Sequence, residues 1–382
     1  MRIWHIGASP SPQKVDGLNS TIWLVAREQA LMGHSVALLL SNASNSAAIA
    51  LAEQSGLELI QIPMNKLRYN PRVLKSLLNY RPPQIVHMHN VFLVNQATLA
   101  VNIVRNNIPY IITPHGGLNS QRGQVKKAIY NCFVEKYRFS AASAITVVTP
   151  REAESVNALI PQYQGIIRWI ANPINTSDLE GYKWKGDTQV KRLVYLGRFD
   201  VLQKGIDLMV DIARLLPNVE FHLYGSGNAK TKKWLESLQF NFPVNVHLHN
   251  PVFGADKAKV LADASLYIQT SRWEGFPISV AEAMYLGVPC AIVDRLHFAE
   301  LFGQYDLGLV LPSNAEKAAS YLSDVLNQST RLHYWSERSR SFAHSHFQPQ
   351  EVASMYLNFY KEILGIEESV EQMPIRDRVL PS

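Results

Sequence analysis

The sequence predicts an α/β fold with two doubly wound parallel-sheet domains that face each other across a cleft. Its 382 residues exceed one ordinary domain, since a domain averages about 150 residues. Apolar residues make up 47% and charged residues 18% of the chain, which is enough for buried cores and argues against disorder. Short β-rich segments alternate with helical segments in two successive series, a pattern typical of parallel sheets covered by helices.

The first series occupies the amino-terminal half. Segment 20–34 places apolar residues near one helical face and ends at Gly33, which predicts a helix. NPRVLKSLLNYRPP predicts a second, basic helix over 70–83. Runs of apolar and β-branched residues predict strands at 2–7, 35–41, 57–63, 84–90, 108–116 and 143–149.

The second series follows a link expected near residues 170–180. It contains predicted helices at 205–218 and 278–287 and predicted strands at 191–199, 219–227, 244–250, 264–271 and 288–294. The expected domains therefore span residues 1–172 and 173–350. Residues 351–382 are expected to form a helix that packs back towards the first domain, followed by a polar tail.

Cysteine content and hydropathy bear on the cellular compartment. Only Cys132 and Cys290 are present, which excludes a disulfide framework and a cysteine-based zinc site and favours a reducing compartment. The first residues, MRIWHIGASP, lack the pattern of a signal peptide, and no apolar run approaches the ~20 residues of a membrane span. We therefore expect a cytoplasmic protein, peripheral on the inner face of the membrane if it binds lipid.

Positive charge is concentrated in the first half of the chain. Residues 1–172 hold 16 Lys and Arg against 7 Asp and Glu, and no acidic residue occurs between Glu58 and Glu135. Such a one-signed domain favours an anionic partner; a basic face that only aids solubility is the alternative. Segment 66–81 is the best candidate for contact with an anionic membrane, because it combines basic residues with Leu67, Tyr69, Val73, Leu74, Leu77 and Leu78.

Two cations precede a predicted helix in the second half. The loop GRFDVLQKG presents Arg198 and Lys204 just before a helix that begins near Ile206. A guanidinium and an ammonium beside a helix amino terminus suit a diphosphate, because fixed positive charge and free backbone N–H groups converge there. Two solvated surface cations are the alternative reading. A second loop, YGSGN, resembles the opening of a dinucleotide-binding loop but lacks the third glycine.

The segment SRWEGFPISVAEAMYLG, residues 271–287, is the strongest functional signal. A predicted strand runs into a turn with Glu274 and Gly275. Pro277 stands near the first helical position, where its missing N–H is harmless, and Glu282 follows about one turn later. The glycine turn and helix start offer backbone N–H groups to an anion, while the carboxylates accept hydrogen bonds from hydroxyls. This combination indicates a site, although two carboxylates eight apart also arise by chance.

Glu274 and Glu282 match the Glu-x7-Glu motif of retaining glycosyltransferases of family 4, which have the GT-B fold, and the sequence resembles this family over most of its length. In the second half the resemblance extends to the loops that contain Gly197, Arg198, Lys204 and Gly205, and Gly225 and Gly227. In the first half it extends to Gly17 before the first helix, LMGHSV, IVHMH and TPHG. The order and spacing of these motifs together are specific.

The resemblance implies roles for the matching residues. Arg198 and Lys204 would bind the pyrophosphate of a nucleotide-sugar donor and stabilise the departing nucleoside diphosphate. Glu282 would hold the ribose hydroxyls and Glu274 the donor sugar, while His115 would face that sugar across the cleft. The implied catalytic groups are therefore His115, Glu274, Arg198 and Lys204, and the implied donor site also includes Gly17, Gly197, Gly225, Gly275, Phe276 and Glu282.

The resemblance also implies a reaction. A hexosyl group would move from the nucleotide sugar to a glycan or lipid-linked acceptor in polysaccharide or glycolipid biosynthesis, with retention by same-face substitution and without a protein nucleophile. No Asp-x-Asp occurs in the chain, so we expect no metal and no other cofactor. Nucleic acid is not expected as a partner.

Two alternatives to this interpretation remain open, and a third is disfavoured. A nucleotide-sugar epimerase of the same fold and a non-catalytic nucleotide-sugar-binding protein remain open. A nicotinamide oxidoreductase is disfavoured, because neither half carries a complete Gly-x-Gly-x-x-Gly. His87 and His89 are left out of the expected site, because two histidines that alternate along a strand are expected to place at most one in the cleft.

Overall fold

Seven parallel strands form the sheet of the first domain in the computed structural model, which describes residues 1–12, 17–65, 68–119, 130–186, 190–237 and 242–366. These strands are β1 (Arg2–Ile6), β2 (Ser35–Leu40), β3 (Glu58–Gln61), β6 (Ile85–His89), β7 (Tyr110–Thr113), β8 (Ala144–Val147) and β9 (Ile166–Trp169). A short antiparallel pair, β4 (Met64–Asn65) and β5 (Arg68–Tyr69), lies outside this sheet.

Six parallel strands form the sheet of the second domain. They are β10 (Arg192–Leu196), β11 (Glu220–Tyr224), β12 (Val246–His249), β13 (Leu266–Gln269), β14 (Cys290–Val293) and β15 (Leu309–Leu311). All strands predicted from the sequence are present, with ends that differ by a few residues.

Helices connect the strands and cover both sheets. In the first domain these are α1 (Gly17–Leu31), α2 (Ser46–Ser55), α3 (Pro71–Tyr80), α4 (Val94–Arg105), α5 (Lys136–Ser140) and α6 (Glu152–Leu159), with a single 3-10 turn at Gly117–Asn119 and a π-helical turn at Asn131–Glu135. In the second domain they are α7 (Val201–Lys204), α8 (Ile206–Leu215), α9 (Ala229–Ser237), α10 (Gly254–Ala262), α11 (Ile278–Leu286), α12 (Ala299–Tyr305), α13 (Ala315–Leu326) and α14 (Ser329–His346), and the last described helix is α15 (Pro349–Leu364).

The strand order of each sheet reverses direction at an inner strand. The first sheet has the order β3-β2-β1-β6-β7-β8-β9 and the second has the order β12-β11-β10-β13-β14-β15. Both are doubly wound orders, and ligands of such sheets bind beyond the carboxyl ends of the strands at the point of reversal. The predicted fold class is therefore confirmed, and it directs attention to the loops after β1, β6, β10 and β13.

The last described helix, α15, packs on the first domain. Tyr356 and Tyr360 of α15 are buried in the same core as Ile22 of α1 and Leu38 of β2. The Arg168 guanidinium on β9 also forms an ion pair with Glu362, with two N–O distances of 2.5 and 3.0 Å. The chain thus returns from the second domain to complete the core of the first.

The apolar residues of segment 66–81 do not form the membrane-facing surface that the sequence predicted. Asn70 caps α3 by accepting hydrogen bonds from the amides of Arg72 and Val73. Tyr69, Leu74 and Leu78 are buried in the core of the first domain, so they are not an apolar face for lipid. The helical periodicity that suggested a membrane surface instead reflects packing against the sheet. Lys66 and Leu67 lie outside the described residues.

Among the described residues, no helix is both long enough and apolar enough to cross a membrane.

Candidate functional site

The predicted cations and carboxylates of the second domain follow adjacent strands. β10 and β13 are neighbours in the sheet. Arg198 comes two residues after β10 ends, and Glu274 comes five residues after β13 ends. Because β10 is where the strand order reverses, both residues stand where a doubly wound sheet binds ligands. Arg198 is exposed, and its guanidinium forms no ion pair with another residue in the part of the chain that the structure describes.

Lys204 and Glu274 form an ion pair at this edge of the sheet. The Lys204 ammonium donates to Oε1 of Glu274, and the same oxygen accepts from Ser271 Oγ at 2.7 Å and Gln269 Nε2 at 3.2 Å. No described residue donates to Oε2 of Glu274. The carboxylate is therefore oriented by three donors on one oxygen, while its other oxygen can accept from a ligand hydroxyl.

The loop that carries Lys204 is fixed by neighbours that the sequence did not identify. The Thr270 hydroxyl donates to the carbonyl oxygens of Lys204 and Gly205 at 3.1 and 3.0 Å. Arg272 makes two N–H···O bonds to Asp207, at 2.9 and 2.7 Å, and also donates to the Val201 carbonyl. A bidentate pair of this kind defines both distance and orientation. Thr270 and Arg272 shortly precede Glu274, the first residue of the Glu-x7-Glu motif. Their proximity to this motif in the sequence is the signal from which they could have been predicted.

Glu282 is buried on α11 and forms an ion pair with a lysine that sequence analysis missed. Lys257 Nζ on α10 lies 2.6 Å from Glu282 Oε1. Burial raises the pKa of Glu282, and the Lys257 charge partly opposes that rise. Each carboxylate of the Glu-x7-Glu motif thus has its own lysine partner. No local pattern links residues 257 and 282, since they meet only through the packing of α10 on α11.

Loops of the two domains touch at glycines. A Cβ on Gly116 would lie 2.2 Å from Gly275 Cα, and Gly116 has a φ of +75°. Gly17 approaches Ile278 so closely that a Cβ would lie 2.5 Å from Ile278 Cδ1. A side chain at Gly116 or Gly275 would meet backbone atoms and force the two domains apart, whereas at Gly17 it would displace only the end of the Ile278 side chain. The predicted Gly17 and Gly275 thus both lie at the interface between the domains.

Two other predicted residues shape the donor side through close packing. A Cβ on Gly225 would lie 1.8 Å from the Gly197 carbonyl oxygen, so the two loops are in backbone contact. The Phe276 ring packs edge-on against Phe298 and Phe347, with centroid distances of 5.3 and 5.5 Å. The Phe276 ring is therefore held in this aromatic cluster, although it is only partly buried.

His115 directs its side chain into the first domain. His115 Nε2 lies 3.0 Å from His89 Nδ1, and His115 Nδ1 lies 2.9 Å from Asn172 Oδ1. Burial lowers the pKa of His115 to about 4, which keeps the ring neutral at physiological pH. Since both ring nitrogens are engaged within the protein, a sugar in the cleft can meet only the ring face or the backbone. That backbone has a φ of +52° and places the His115 carbonyl oxygen against Gly275.

His115 is the end of a buried histidine network. His5 Nδ1 lies 3.0 Å from His89 Nε2, and His5 Nε2 lies 2.8 Å from Gln29 Oε1. His87 and His89 lie side by side, with ring centroids 3.8 Å apart. They share one face of β6, as residues two apart on a strand do, and both are fully buried.

Glu152 is a further residue that sequence analysis missed. It is buried at the start of α6, and its two oxygens accept backbone N–H bonds, one from Gly116 and one from Val148 at 2.9 Å. Burial raises the pKa of Glu152 to about 7, despite these two hydrogen bonds. The carboxyl group therefore connects the Gly116 loop to the end of β8 through these two hydrogen bonds.

The fold is shared with proteins of known structure. Sucrose-phosphate synthase from Thermosynechococcus elongatus superimposes with a TM-score of 0.75 at 17% identity, covering 96% of this chain and 99% of that one. HepE of Anabaena, solved in complex with UDP and glucose, has a TM-score of 0.64 at 14% identity, covering 94% and 99% of the two chains. The fold is therefore GT-B, with two parallel-sheet α/β domains.

Sequence comparison gives the family. Residues 15–178 match Glycosyltransferase Family 4 and residues 182–342 match Glycosyl transferases group 1. A phosphatidyl-myo-inositol mannosyltransferase of Mycobacterium tuberculosis is 23% identical over 379 residues, which is 93% of this chain and 95% of that protein. The chain belongs to the group 1 glycosyltransferases.

Proposed function

We propose that this protein transfers a hexosyl group, with retention of anomeric configuration and without a metal ion, from a nucleoside-diphosphate sugar to a glycan or lipid-linked acceptor. The observation that carries this proposal is the Lys204–Glu274 pair beside Gly275, which itself touches Gly116 of the first domain. A cation suited to a diphosphate and a carboxylate suited to sugar hydroxyls thus lie together next to the point where the two domains touch. Binding of UDP and glucose by HepE and the mannosyltransferase relative support a nucleotide-sugar donor.

The proposed chemistry begins with the leaving group. When the bond between the anomeric carbon and the phosphate oxygen breaks, the nucleoside diphosphate gains negative charge. Arg198 and Lys204 stabilise that charge, the role that a divalent cation has in enzymes with an Asp-x-Asp motif. Arg198 is exposed and unpaired among the described residues, so it can turn to the phosphate without breaking an existing ion pair.

Retention follows from attack on the face that the leaving group vacates. The acceptor hydroxyl forms the new bond to the anomeric carbon, and its proton passes to the departing phosphate oxygen. Glu274 holds the sugar hydroxyls through its Oε2, and Glu282 holds the ribose. His115 contributes its backbone carbonyl and ring face, because its ring nitrogens are already hydrogen-bonded.

The acceptor side is proposed to face an anionic membrane through charge alone. Arg68, Arg72 and Lys75 are exposed on the first domain, and each basic residue near such a surface contributes about 1 kcal/mol of attraction. The relative named above acts on phosphatidyl-myo-inositol. Flotation with anionic vesicles at low salt tests this, and Ala at all three positions should abolish binding. Ala at three exposed second-domain lysines, Lys183, Lys259 and Lys317, is the charge-matched control; equal losses would point to non-specific attraction.

A donor screen tests the enzymatic proposal. A cognate nucleoside diphosphate at 100 times its dissociation constant should stabilise the fold by about 2.7 kcal/mol, so thermal shifts with UDP, GDP and ADP identify the base. Product analysis with the matching sugar nucleotides then follows, with and without candidate acceptors. Conversion without any acceptor would indicate an epimerase, and binding without turnover would indicate a binding protein. A glycoside of inverted configuration would contradict the retaining mechanism.

A further inference from the structure

One face of the second sheet gathers imidazole and carboxylate groups away from the cleft motifs. Glu220 and His222 alternate on β11, and His247 and His249 alternate on β12, which is an edge strand of the sheet. His222 is in register with His247, and Tyr224 is in register with His249. Since side chains two apart on a strand share a face, these residues project on the same side of the sheet.

The groups are close enough to share one ion. Ligand atoms of Glu220, His222 and His247 all lie within 4.8 Å of one another. His247 Nε2 already contacts a carboxylate oxygen of Glu220. Ligands of a tetrahedral zinc ion stand 2.0–2.2 Å from the metal and therefore about 3.4 Å from each other. Small side-chain rotations, with no change in the backbone, would bring the three groups to that spacing.

Two neighbouring side chains act on these groups. Arg192 on β10 is in register with Glu220, so it projects on the same side of the sheet and its charge opposes a cation bound there. His222 Nδ1 and His249 Nε2 lie 3.0 Å apart, so His249 can orient the His222 ring in the way that outer partners orient metal-bound histidines. The His247 side chain is 41% exposed, which gives a hydrated ion access.

We propose that Glu220, His222 and His247 bind a borderline transition-metal ion of the Zn²⁺ class, with His249 orienting His222. Two imidazoles and one carboxylate are a donor set that Zn²⁺ accepts, with water in the fourth position. The ion connects the edge strand β12 to β11 and so reinforces the sheet at that edge. It is a structural site, separate from Lys204 and Glu274.

A second histidine group in the described residues is a poorer candidate. His5, His87 and His89 also bring their ligand atoms within 4.8 Å of one another. However, His87 Nδ1 and Nε2 already bond to Tyr360 and Thr113, at 2.6 and 2.7 Å. His89 likewise uses both ring nitrogens. All three rings are fully buried, so a hydrated ion has neither free ligand atoms nor access there.

The test titrates Zn²⁺ into the full chain, without an affinity tag and freed of metal by chelation, and follows heat and the melting temperature. One equivalent should bind and raise the melting temperature, and Co²⁺ should give the visible absorption of a tetrahedral site. His247→Ala should weaken Zn²⁺ binding about tenfold or more. His333→Ala removes one exposed histidine from α14 and should change nothing.

Two further variants separate loss of the site from loss of the fold. His222→Asn removes a ligand at a second position and should weaken binding to a similar degree, while circular dichroism without metal checks that both variants are folded. Arg192→Gln removes the opposing cation and should tighten Zn²⁺ binding, an effect that damaged folding would not produce. Absence of binding by the wild-type chain, or unchanged affinity in folded His247→Ala, overturns the proposal.

Discussion

His89 Nδ1 lies 3.0 Å from His115 Nε2, beneath the point where the two domains touch. With His5 and the amides of Gln29 and Asn172, these rings form a continuous series of four hydrogen bonds. Three neutral imidazoles supply only three N–H groups, so one of the two terminal amides must turn its NH₂ group rather than its oxygen towards the ring. The His115 ring is therefore held by a buried network that extends to Gln29 of α1.

Removal of His89 should destabilise the first domain. His89→Ala leaves buried ring nitrogens of His5 and His115 without a partner, and each unsatisfied group costs about 1–3 kcal/mol. We expect the free energy of unfolding to fall by about 2 kcal/mol or more in urea titrations. His333→Ala, at an exposed site, should stay within about 0.5 kcal/mol of wild type. A loss in the control as large as in the test variant would refute this account.

Stability should decrease as the pH falls from 7 to 5. His5 and His115 have pKa values lowered to about 4 by burial, and burial also lowers the pKa of His87 and His89. These histidines contribute to the free energy of unfolding at pH values above their unfolded-state pKa of about 6.5. That contribution is lost as the pH falls towards their folded-state pKa. Each histidine with a folded pKa near 4 then contributes a loss of about 2 kcal/mol over this interval.

Two buried carboxyl groups act in the opposite sense. Burial raises the pKa of Glu152 to about 7 and raises that of Glu282, so their contribution is present at low pH and is lost as the pH rises. Because four histidines outnumber these two carboxyl groups, we expect the free energy of unfolding to fall by at least about 2 kcal/mol between pH 7 and pH 5. Urea titrations at both pH values measure it; equal stability would mean that the network takes up no protons on unfolding.

Arg198→Ala and Lys204→Ala should both weaken nucleoside diphosphate binding, about 10–100-fold each, because each removes a charged hydrogen-bond donor. The two variants should differ in stability. Arg198 has no ion pair among the described residues, whereas loss of Lys204 leaves Glu274, whose side chain is 11% exposed, without its counter-charge. Calorimetry measures binding and urea titration measures stability. Arg68→Ala, at an exposed first-domain cation, should bind as wild type does.

Glu282→Ala should weaken binding only of ligands that contain ribose. A nucleoside diphosphate is expected to lose about tenfold in affinity, while inorganic pyrophosphate keeps its affinity, because the carboxylate accepts hydrogen bonds from hydroxyls and none from phosphate. The Lys257 ammonium then lacks its 2.6 Å partner. Lys257→Met combined with Glu282→Ala removes that unpaired charge; if the double variant restored ribose-dependent affinity, Glu282 would not be the ribose ligand.

Gly116→Ala should abolish turnover while leaving diphosphate binding on the second domain intact. Its Cβ would lie 2.2 Å from Gly275 Cα, so the domains must separate at the cleft. Gly33→Ala is a matched control, because Gly33 has a similar φ of +84° but has no atom within 4 Å of an added Cβ. Both variants carry backbone strain of about 1–2 kcal/mol, and only Gly116→Ala should lose activity. Equal turnover in the two would show that this close approach is unimportant.

The sequence by itself determined the two parallel sheets and most of the second-domain residues at the cleft. Alternating apolar segments are local information, because a period of two or of 3.6 residues is written within one element. The motif around Glu274 joins a strand end, a glycine turn and a helix start within a few positions. Local periodicity does not say what an apolar face packs against. Leu74 and Leu78 of α3 have the helical spacing from which a membrane surface was predicted, yet they face the core.

Tertiary structure alone decided the partners. Lys204 meets Glu274 across 70 positions, Lys257 meets Glu282 across 25, and His5 meets His89 across 84. Such contacts depend on which strands are neighbours and how helices lie over them, and no periodicity encodes that. Burial, which sets the protonation of His115 and Glu152, likewise appears only when distant segments close over a side chain.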